Sequence, residues 1–208
     1  MVVIHYTGME SAAAALARLC DPGPEVSAHY LIGGDGRLWH LVDEDLRAWH
    51  AGQGSWGGVT DVNSRSIGIE LDNRGDHPFA EPQMAVLERL LPAVMARWSI
   101  PPERVIGHQD MAPARKQDPG RRFDWRRLAR AGLSVWPEAA EGAEADFAAA
   151  AARFGYPPEA PGLVLDAFRA RFRPEARGPL DATDRRMMAA LAARWPAEPG
   201  IDAGPAMA

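Results

Sequence analysis

The apolar residues in the first third of the chain fall into short runs typical of β-strands. A β-branched run from Val2 to Thr7 predicts a buried strand at the start. Two further runs, His29 to Ile32 and Arg37 to Val42, are joined through glycines, and this spacing predicts a hairpin. Ser66 to Leu71 places apolar side chains at alternate positions and predicts another strand.

Helical spacing alternates with these strands. Ser11 to Leu19 is Ala-rich and predicts a helix with Ser11 as its N-cap. Pro82 to Trp98 repeats apolar residues every 3.6 positions and predicts a long amphipathic helix, which Pro92 should kink or end early. Two further predicted elements are a strand at Val105 to His108 and a helix at Trp125 to Ala131, capped by Asp124.

The alternation of strands and helices ends near Pro137, and this division predicts the domain organisation. Residues 1–137 are expected to form an α/β domain, a sheet with helices packed on it. Residues 138–145 are small and acidic, as in a linker, and 146–196 carry three helical patterns. The bundle of these helices would be built on Phe168, Phe172, Leu180, Leu191 and Trp195. The Pro/Gly/Ala-rich stretch 197–208 is expected to be a disordered tail.

Composition narrows the classes of function. The chain has 208 residues, 47% hydrophobic and 25% charged, which favours a packed core over disorder. The formal net charge of −5 argues against a nucleic-acid partner, because phosphate neutralisation needs a basic surface. Cys20 is the only cysteine, which excludes an intramolecular disulfide and a Cys-rich zinc site. A metal would have to be held by His, Asp or Glu.

The compartment is weakly determined by the sequence. No apolar run reaches the length that spans a membrane, and the first residues lack the pattern of a secretory signal. We therefore expect a cytoplasmic protein as the chain stands. A periplasmic or outer-membrane-associated protein is expected if the N-terminus is incomplete, since the first strand begins abruptly. The oligomeric state is not indicated.

Polar residues with catalytic chemistry lie at the ends of predicted strands or in the loops after them. They are His5, Glu70, His108, Lys116 and Asp118. A hydrolytic zinc site needs three protein ligands and one open position for water. Two histidines and an aspartate leave the ion positively charged, so that it can activate that water. The loop between His108 and Asp118 is long enough to return the carboxylate to the same metal.

Each of these residues also has a structural explanation when it is considered alone. A histidine near a strand end is more often a satisfied core or surface residue than a ligand. Asp118 precedes Pro-Gly, an ordinary turn sequence, and Glu70 at a strand edge is equally an exposed charge. Only the joint occurrence of these residues favours a site.

The sequence resembles the AmpD/AmiD (amidase type 2) family of peptidoglycan amidases, which is related to the phage lysozymes and the animal peptidoglycan recognition proteins. The matching stretches occur in the family order and cover most of residues 1–137. They are Val3-Ile4-His5-Tyr6-Thr7, Ser27-Ala28-His29-Tyr30-Leu31-Ile32, Ala48-Trp49-His50-Ala51-Gly52, Asn63-Ser64-Arg65-Ser66-Ile67-Gly68-Ile69-Glu70, Ile106-Gly107-His108-Gln109-Asp110 and Pro113-Ala114-Arg115-Lys116-Gln117-Asp118-Pro119-Gly120. The helical tail makes the AmiD branch the most similar.

The resemblance implies a mixed central sheet flanked by helices and one zinc ion per chain. His5, His108 and Asp118 match the family's zinc ligands, Glu70 its catalytic carboxylate and Lys116 the basic residue aimed at the reacting carbonyl. The implied activity is hydrolysis of the amide between N-acetylmuramic acid, or its anhydro form, and L-alanine. The implied partner is peptidoglycan or a muropeptide, in wall turnover or recycling.

Four further residues are expected to shape the substrate groove. Trp49 and His50 lie in a matching stretch, next to the Gly-rich loop. Trp56 is a candidate for stacking on a sugar face, and a core or loop-packing role is an equal alternative. Arg65 is a candidate partner for stem-peptide carboxylates, and a solvated surface charge is its alternative.

Two other functions remain as alternatives. Some relatives bind the wall without cutting it, so a non-catalytic peptidoglycan recognition protein is the second hypothesis. A zinc peptidase is the third, although the chain has no His-Glu-x-x-His helix. The C-terminal helices resemble a small peptidoglycan-binding domain, and a purely structural appendage is the alternative for them.

Overall fold

The computed structural model describes residues 1–137 and 144–197, and a five-stranded mixed sheet forms its centre. The strands are β1 (Val2–Tyr6), β2 (Tyr30–Ile32), β3 (Leu38–His40), β4 (Ile67–Leu71) and β5 (Val105–Gly107). Their order is β3-β2-β4-β1-β5, in which only β3 is antiparallel to its neighbour. The sheet confirms the predicted fold class, and the β2–β3 pair confirms the predicted hairpin.

Helices cover the sheet and continue beyond it. They are α1 (Ala12–Cys20), α2 (Glu81–Arg97), α3 (His108–Met111), α4 (Trp125–Arg130), α5 (Phe147–Phe154), α6 (Pro161–Phe172) and α7 (Ala182–Arg194), with 3-10 turns at Asn63–Arg65 and Pro102–Arg104. Both predicted caps are confirmed, since Ser11 Oγ accepts from Ala14 N at 3.2 Å and Asp124 Oδ1 from Arg127 N at 2.9 Å. No described helix has the length and apolar character needed to cross a membrane.

Helix α2 differs from its prediction at Pro92. The helix continues through this residue to Arg97, so the early end is wrong. Pro92 lies on the exposed face, where water can satisfy the carbonyl that loses its partner. On the opposite face Leu87, Leu91 and Val94 are completely buried against the sheet. Burial of this apolar stripe outweighs the cost of one missing hydrogen bond.

Parallel pairing brings the ends of β1 and β4 together. His5 on β1 pairs with Glu70 on β4 in the same register. Because side chains alternate along a strand, Val2 and Ile4 point to the α2 side, and Val3 and His5 to the other. The sheet therefore places His5 and Glu70 side by side on one face.

The three C-terminal helices pack against this same face. One hydrophobic cluster joins Val3, Ile106 and Met111 of the sheet region to Phe154 and Phe168 of the helices. The helices thus share one hydrophobic core with the α/β region. Packing continues across the domain boundary predicted near Pro137. The predicted linker 138–145 and tail 197–208 lie almost entirely outside the described residues.

A buried ion pair reinforces the contact between the helices and the sheet. Arg171 on α6 donates to Asp110 Oδ2 at 2.9 Å, and both side chains have no exposed surface. Arg171 also donates to Val105 O at 3.0 Å and lies 4.5 Å from the centre of the Trp125 ring. Tyr156 donates to the other oxygen of Asp110. Asp110 is therefore held by groups from the C-terminal helical region.

Candidate metal centre

Three side chains distant in sequence meet at the end of the parallel strands. His5 Nδ1 lies 2.9 Å from His108 Nδ1 and 3.0 Å from Asp118 Oδ2, and the latter two atoms are 3.1 Å apart. His108 begins α3 directly after β5. The backbone bond from Gln109 N to Asp118 O, 2.8 Å long, folds the loop back so that Asp118 reaches both histidines.

The donor set and its spacing fit a zinc ion. Zinc–ligand bonds of about 2.0–2.1 Å in a tetrahedron separate the ligand atoms by about 3.3 Å, close to the observed distances. Burial, followed by the neighbouring His108, lowers the pKa of His5 to about 4, so His5 is a neutral ligand at pH 7. Burial alone would raise the pKa of Asp118, but the two histidines hold it below its usual range.

The tautomer of His108 is fixed by the backbone. Its Nε2 lies 2.8 Å from Ala51 O, which can only accept, so Nε2 carries the proton. The Nδ1 atom is then left with a free lone pair facing Asp118 and His5. A cation satisfies such converging lone pairs at once, which is the usual arrangement around a metal-bound histidine.

A chain of hydrogen bonds fixes His5 in the same way. Ser66 donates to Val62 O at 2.5 Å, so its oxygen accepts from His50 Nε2 at 3.3 Å. His50 Nδ1 is then free to accept from His5 Nε2 at 3.0 Å. The His50 ring lies so close to β4 that a Cβ on Gly68 would approach it to 2.4 Å. His50 therefore leaves His5 Nδ1 unprotonated and available to a metal.

We expect His50→Phe to weaken zinc binding by about 10- to 100-fold, since partners of ligating histidines have effects of that size. Phenylalanine fills the space above Gly68 but cannot accept the proton of His5. The zinc Kd is measured by competition with a chelator of known affinity. His77→Phe is the matched control, because His77 is exposed and contacts Asp76. Zinc affinity within about twofold of wild type in His50→Phe would contradict this role.

Glu70 lies beside the three converging side chains, and one of its two carboxylate oxygens lacks a hydrogen bond to any described residue. This oxygen, Oε2, is buried. Burial, together with the charge of Asp118, raises the pKa of Glu70 to about 8, against a smaller opposing effect of Lys116. A carboxyl group in this condition can both take and release a proton near neutral pH.

The stability of the metal-free protein should depend on the protonation of Glu70. Because its pKa is raised, the protonated form stabilises the fold below the ordinary value of 4.5, and this contribution is lost as the pH rises through about 8. Glu70→Gln stays neutral. We therefore expect its Tm advantage over wild type in chelator to grow between about pH 5 and pH 9. A constant difference across that interval would contradict the shift.

The converging side chains form the base of an open cavity of about 830 Å³. Glu70 and Lys116 line it together with the three candidate ligands. Trp49 stands on its wall with 54% of its surface exposed, and the Arg47 guanidinium lies 4.2 Å from its ring centre. His50 also borders the cavity, although both of its ring nitrogens are engaged as described above.

The structure places two predicted groove residues outside this cavity. Trp56 is only 2% exposed and packs edge-to-face on Phe154 and Tyr156, so the prediction that it stacks on a sugar is wrong. Its packing partners lie about a hundred residues further along the chain. Arg65 lies on the 3-10 turn Asn63–Arg65 and is not among the residues that line the cavity, so its expected contact with the peptide lacks support.

One residue that shapes the cavity was missed by the sequence analysis. Arg115 donates to Ala51 O and Gln53 O and thereby ties the loop of the candidate ligand Asp118 to the Gly-rich loop. It belongs to a stretch that matches the family, next to Lys116, and it is exposed, so no sequence pattern distinguishes it from any other surface arginine. Helix α1 also forms a wall through Ala15 and Leu19, which the sequence did not indicate.

Comparison with known proteins identifies relatives over nearly the whole chain. The family model described as N-acetylmuramoyl-L-alanine amidase matches residues 1–121. The N-acetylmuramoyl-L-alanine amidase AmiD of Escherichia coli is 37% identical and aligns with 94% of this chain and 83% of its own. The 1,6-anhydro-N-acetylmuramyl-L-alanine amidase AmpD of Haemophilus influenzae is 42% identical over 49% of this chain and 56% of its own.

Solved structures give the same result for the fold. The complex of E. coli AmiD with anhydro-N-acetylmuramic acid-L-Ala-D-gamma-Glu-L-Lys has a TM-score of 0.85 and covers 94% of this chain and 89% of its own. AMPDH3 from Pseudomonas aeruginosa in complex with an anhydromuramic pentapeptide also has a TM-score of 0.85, at 30% identity and with coverage of 94% and 92%. Both similarities extend beyond the sheet into the C-terminal helices.

Proposed function

The chain belongs to the N-acetylmuramoyl-L-alanine amidase family, and we propose that His5, His108 and Asp118 hold the zinc ion with which it hydrolyses the muramoyl–L-alanine amide of peptidoglycan fragments. The observation that carries the proposal is the convergence of these three ligand atoms beside Glu70, a protonatable group whose buried Oε2 has no hydrogen bond to the described residues. Both features lie in one cavity that is open to solvent.

The residues of the chain divide the chemistry of amide hydrolysis among them. When bound, zinc supplies Lewis acidity at the reacting carbonyl and at the attacking water. Glu70 takes the proton of that water and returns it to the leaving nitrogen. Lys116 lines the same cavity, and its charge stabilises the developing oxyanion, an effect of about 3–4 kcal/mol for a preorganised donor. Trp49 offers an exposed aromatic face for the sugar.

The comparisons favour an enzyme over a recognition protein that does not cut the wall. The relatives that align over most of the chain are amidases. The structure supports this choice for the chain itself, because the residues that hydrolysis needs line one cavity. We further propose that the enzyme accepts substrates with the anhydro form of the sugar. Two relatives of similar fold have been solved in complex with anhydromuramyl peptides.

Mass spectrometry of the products tests the proposal. Zinc-loaded protein is incubated with purified anhydro-muropeptide, and an amidase should release the intact sugar and a peptide with a new L-alanine amino group. Release of a shorter peptide, with L-alanine still on the sugar, would indicate the zinc peptidase instead. Binding without any cleavage would restore the recognition hypothesis and overturn the proposed function.

A parallel incubation with intact sacculi indicates where the protein acts. Cleavage of soluble anhydro fragments alone fits recycling in the cytoplasm. Release of peptide from sacculi fits action on the wall in the periplasm. We propose that helices α5–α7 are a C-terminal peptidoglycan-binding region. If the protein acts on the wall, this region should make intact sacculi a better substrate than soluble fragments.

A further inference from the structure

A second groove adjoins the cavity of the candidate metal centre. It has a volume of about 750 Å³ and lies between the loop 116–122 and helix α6. The two cavities are neighbours, because Tyr6, Pro113, Lys116, Gln117 and Leu163 line both of them. The groove therefore lies within reach of a substrate bound at the metal centre.

The groove concentrates positive charge on a chain whose net charge is −5. Four cationic side chains line it, namely Lys116, Arg121, Arg122 and Arg177, and Asp166 is the only acidic residue among the lining residues described. The groove therefore has a local excess of positive charge, which attracts anions.

Two of these arginines are drawn together on shared backbone acceptors, and the carboxylates of Asp166 and Glu175 act on Arg121. Arg121 and Arg177 both donate to Pro174 O, at 3.0 and 2.7 Å, and the Asp166 carboxylate lies 3.8 Å from Arg121. Neutral carbonyls orient the guanidinium groups but do not cancel their charges. Arg122 is exposed and forms no ion pair with the residues that the structure describes. An anion in the groove would relieve the repulsion.

A buried amide on the floor of the groove lacks an acceptor. Gln109 is 2% exposed, and its Nε2 atom has no hydrogen-bond partner in the described structure. Buried donors are nearly always satisfied, so an orphaned donor on a residue that lines a groove indicates a missing acceptor. Gln109 follows His108 and bonds through its backbone to Asp118, so it connects the groove to the candidate ligands.

We propose that this groove is a subsite for a free carboxylate on the peptide part of the substrate, beyond the amide that is cut. The inference rests on the proposed function, which gives the substrate a peptide arm. The peptide bound to E. coli AmiD has this chemistry, because its γ-linked glutamate and its terminal lysine each leave one carboxylate free. Arg122 and Arg177 bind the carboxylate, and Gln109 donates to one of its oxygens.

The subsite also gives the C-terminal region a part in substrate binding. Leu163 and Asp166 belong to α6, and Arg177 follows it. The groove exists only because these residues face the loop that holds Lys116 and Arg121. Its specificity is therefore a property of the two regions together.

Calorimetric binding of the free tripeptide L-Ala-γ-D-Glu-L-Lys to the zinc-loaded chain tests the subsite without requiring hydrolysis. The comparison ligand is the same tripeptide with both carboxylates converted to amides. We expect Arg122→Gln to weaken binding of the tripeptide by about fivefold or more, as for a lost charge-assisted hydrogen bond. The double variant Arg122→Gln/Arg177→Gln should weaken it by about tenfold or more. Binding of the diamide should change by less than twofold. Arg130→Gln, an exposed arginine on α4, is the matched control.

The single variant keeps the test valid if the double variant does not fold, because Arg122 makes no described structural bond. The subsite is overturned if wild type does not bind the tripeptide, or if Arg122→Gln binds it as tightly as wild type. An equal loss for the tripeptide and the diamide also overturns it, since the effect would not depend on carboxylates. Failure of hydrolysis in the product assay, with tripeptide binding intact, would instead contradict the proposed function alone.

Discussion

Glu70→Gln is expected to lower kcat/KM for muramoyl-peptide hydrolysis by about 10²–10⁴-fold while the protein keeps its full zinc content. Glutamine preserves the shape of the side chain but cannot carry a proton from water to the leaving nitrogen. The three candidate ligand atoms belong to His5, His108 and Asp118, so the metal does not depend on Glu70. Steady-state rates and metal analysis of the same preparation measure both effects.

Glu159→Gln is the control for the loss of one carboxylate, because Glu159 is exposed in the loop before α6. Its rate should equal that of wild type. A Glu70→Gln rate within a few-fold of wild type would remove Glu70 from the mechanism. Loss of zinc together with activity would show that Glu70 supports the metal rather than the proton transfer.

The part of the site that the sequence predicts is the part built on strand ends. β-branched runs identified β1 and β4, and catalytic residue types at the ends of both runs drew attention to His5 and Glu70. Parallel strands end at the same edge of a sheet, so the observed register of His5 with Glu70 follows from the pairing of these strands. The resemblance supplied the matching of Asp118, because a loop of ten residues has many ways to close.

The contacts that the sequence did not predict link residues far apart in the chain. For Trp56 the sequence left sugar stacking and a core or loop-packing role equally open, because its neighbours are glycine and serine. Its environment is formed by Phe154 and Tyr156. For the same reason the acidic stretch after Pro137 predicted a linker but not which surface the helices after it would contact, and these helices share the core of the sheet region.

His50 illustrates a limit of a different kind. Its place in a stretch that matches the family predicted a groove wall, and it does border the cavity. Its hydrogen bonds to His5 and Ser66 depend on ring orientation, which no local pattern specifies. The candidate ligands of a site can thus be recognised from sequence more readily than the residues that orient them.

Arg171→Met is expected to destabilise the protein by about 3–5 kcal/mol, the range found when one partner of a buried ion pair is removed. The Asp110 carboxylate would remain buried without its cation, and burial already raises the pKa of Asp110 above its usual range. The backbone oxygen of Val105 would also lose its donor. Urea unfolding measures the change. Arg186→Met is the control, since its pair with Glu144 is partly exposed and worth less than about 1 kcal/mol.

The double variant Asp110→Asn/Arg171→Met separates the charge of Asp110 from the packing of Arg171. If the unpaired carboxylate causes most of the loss, the double variant should be more stable than Arg171→Met alone, and the cycle should show a coupling of at least about 1 kcal/mol. Strict additivity, or a loss below about 1 kcal/mol for Arg171→Met, would contradict this account. Asp110 Oδ2 also accepts from Gly107 N directly before His108. Zinc affinity should therefore fall together with stability in Arg171→Met, because the C-terminal helices hold the turn that carries a candidate ligand.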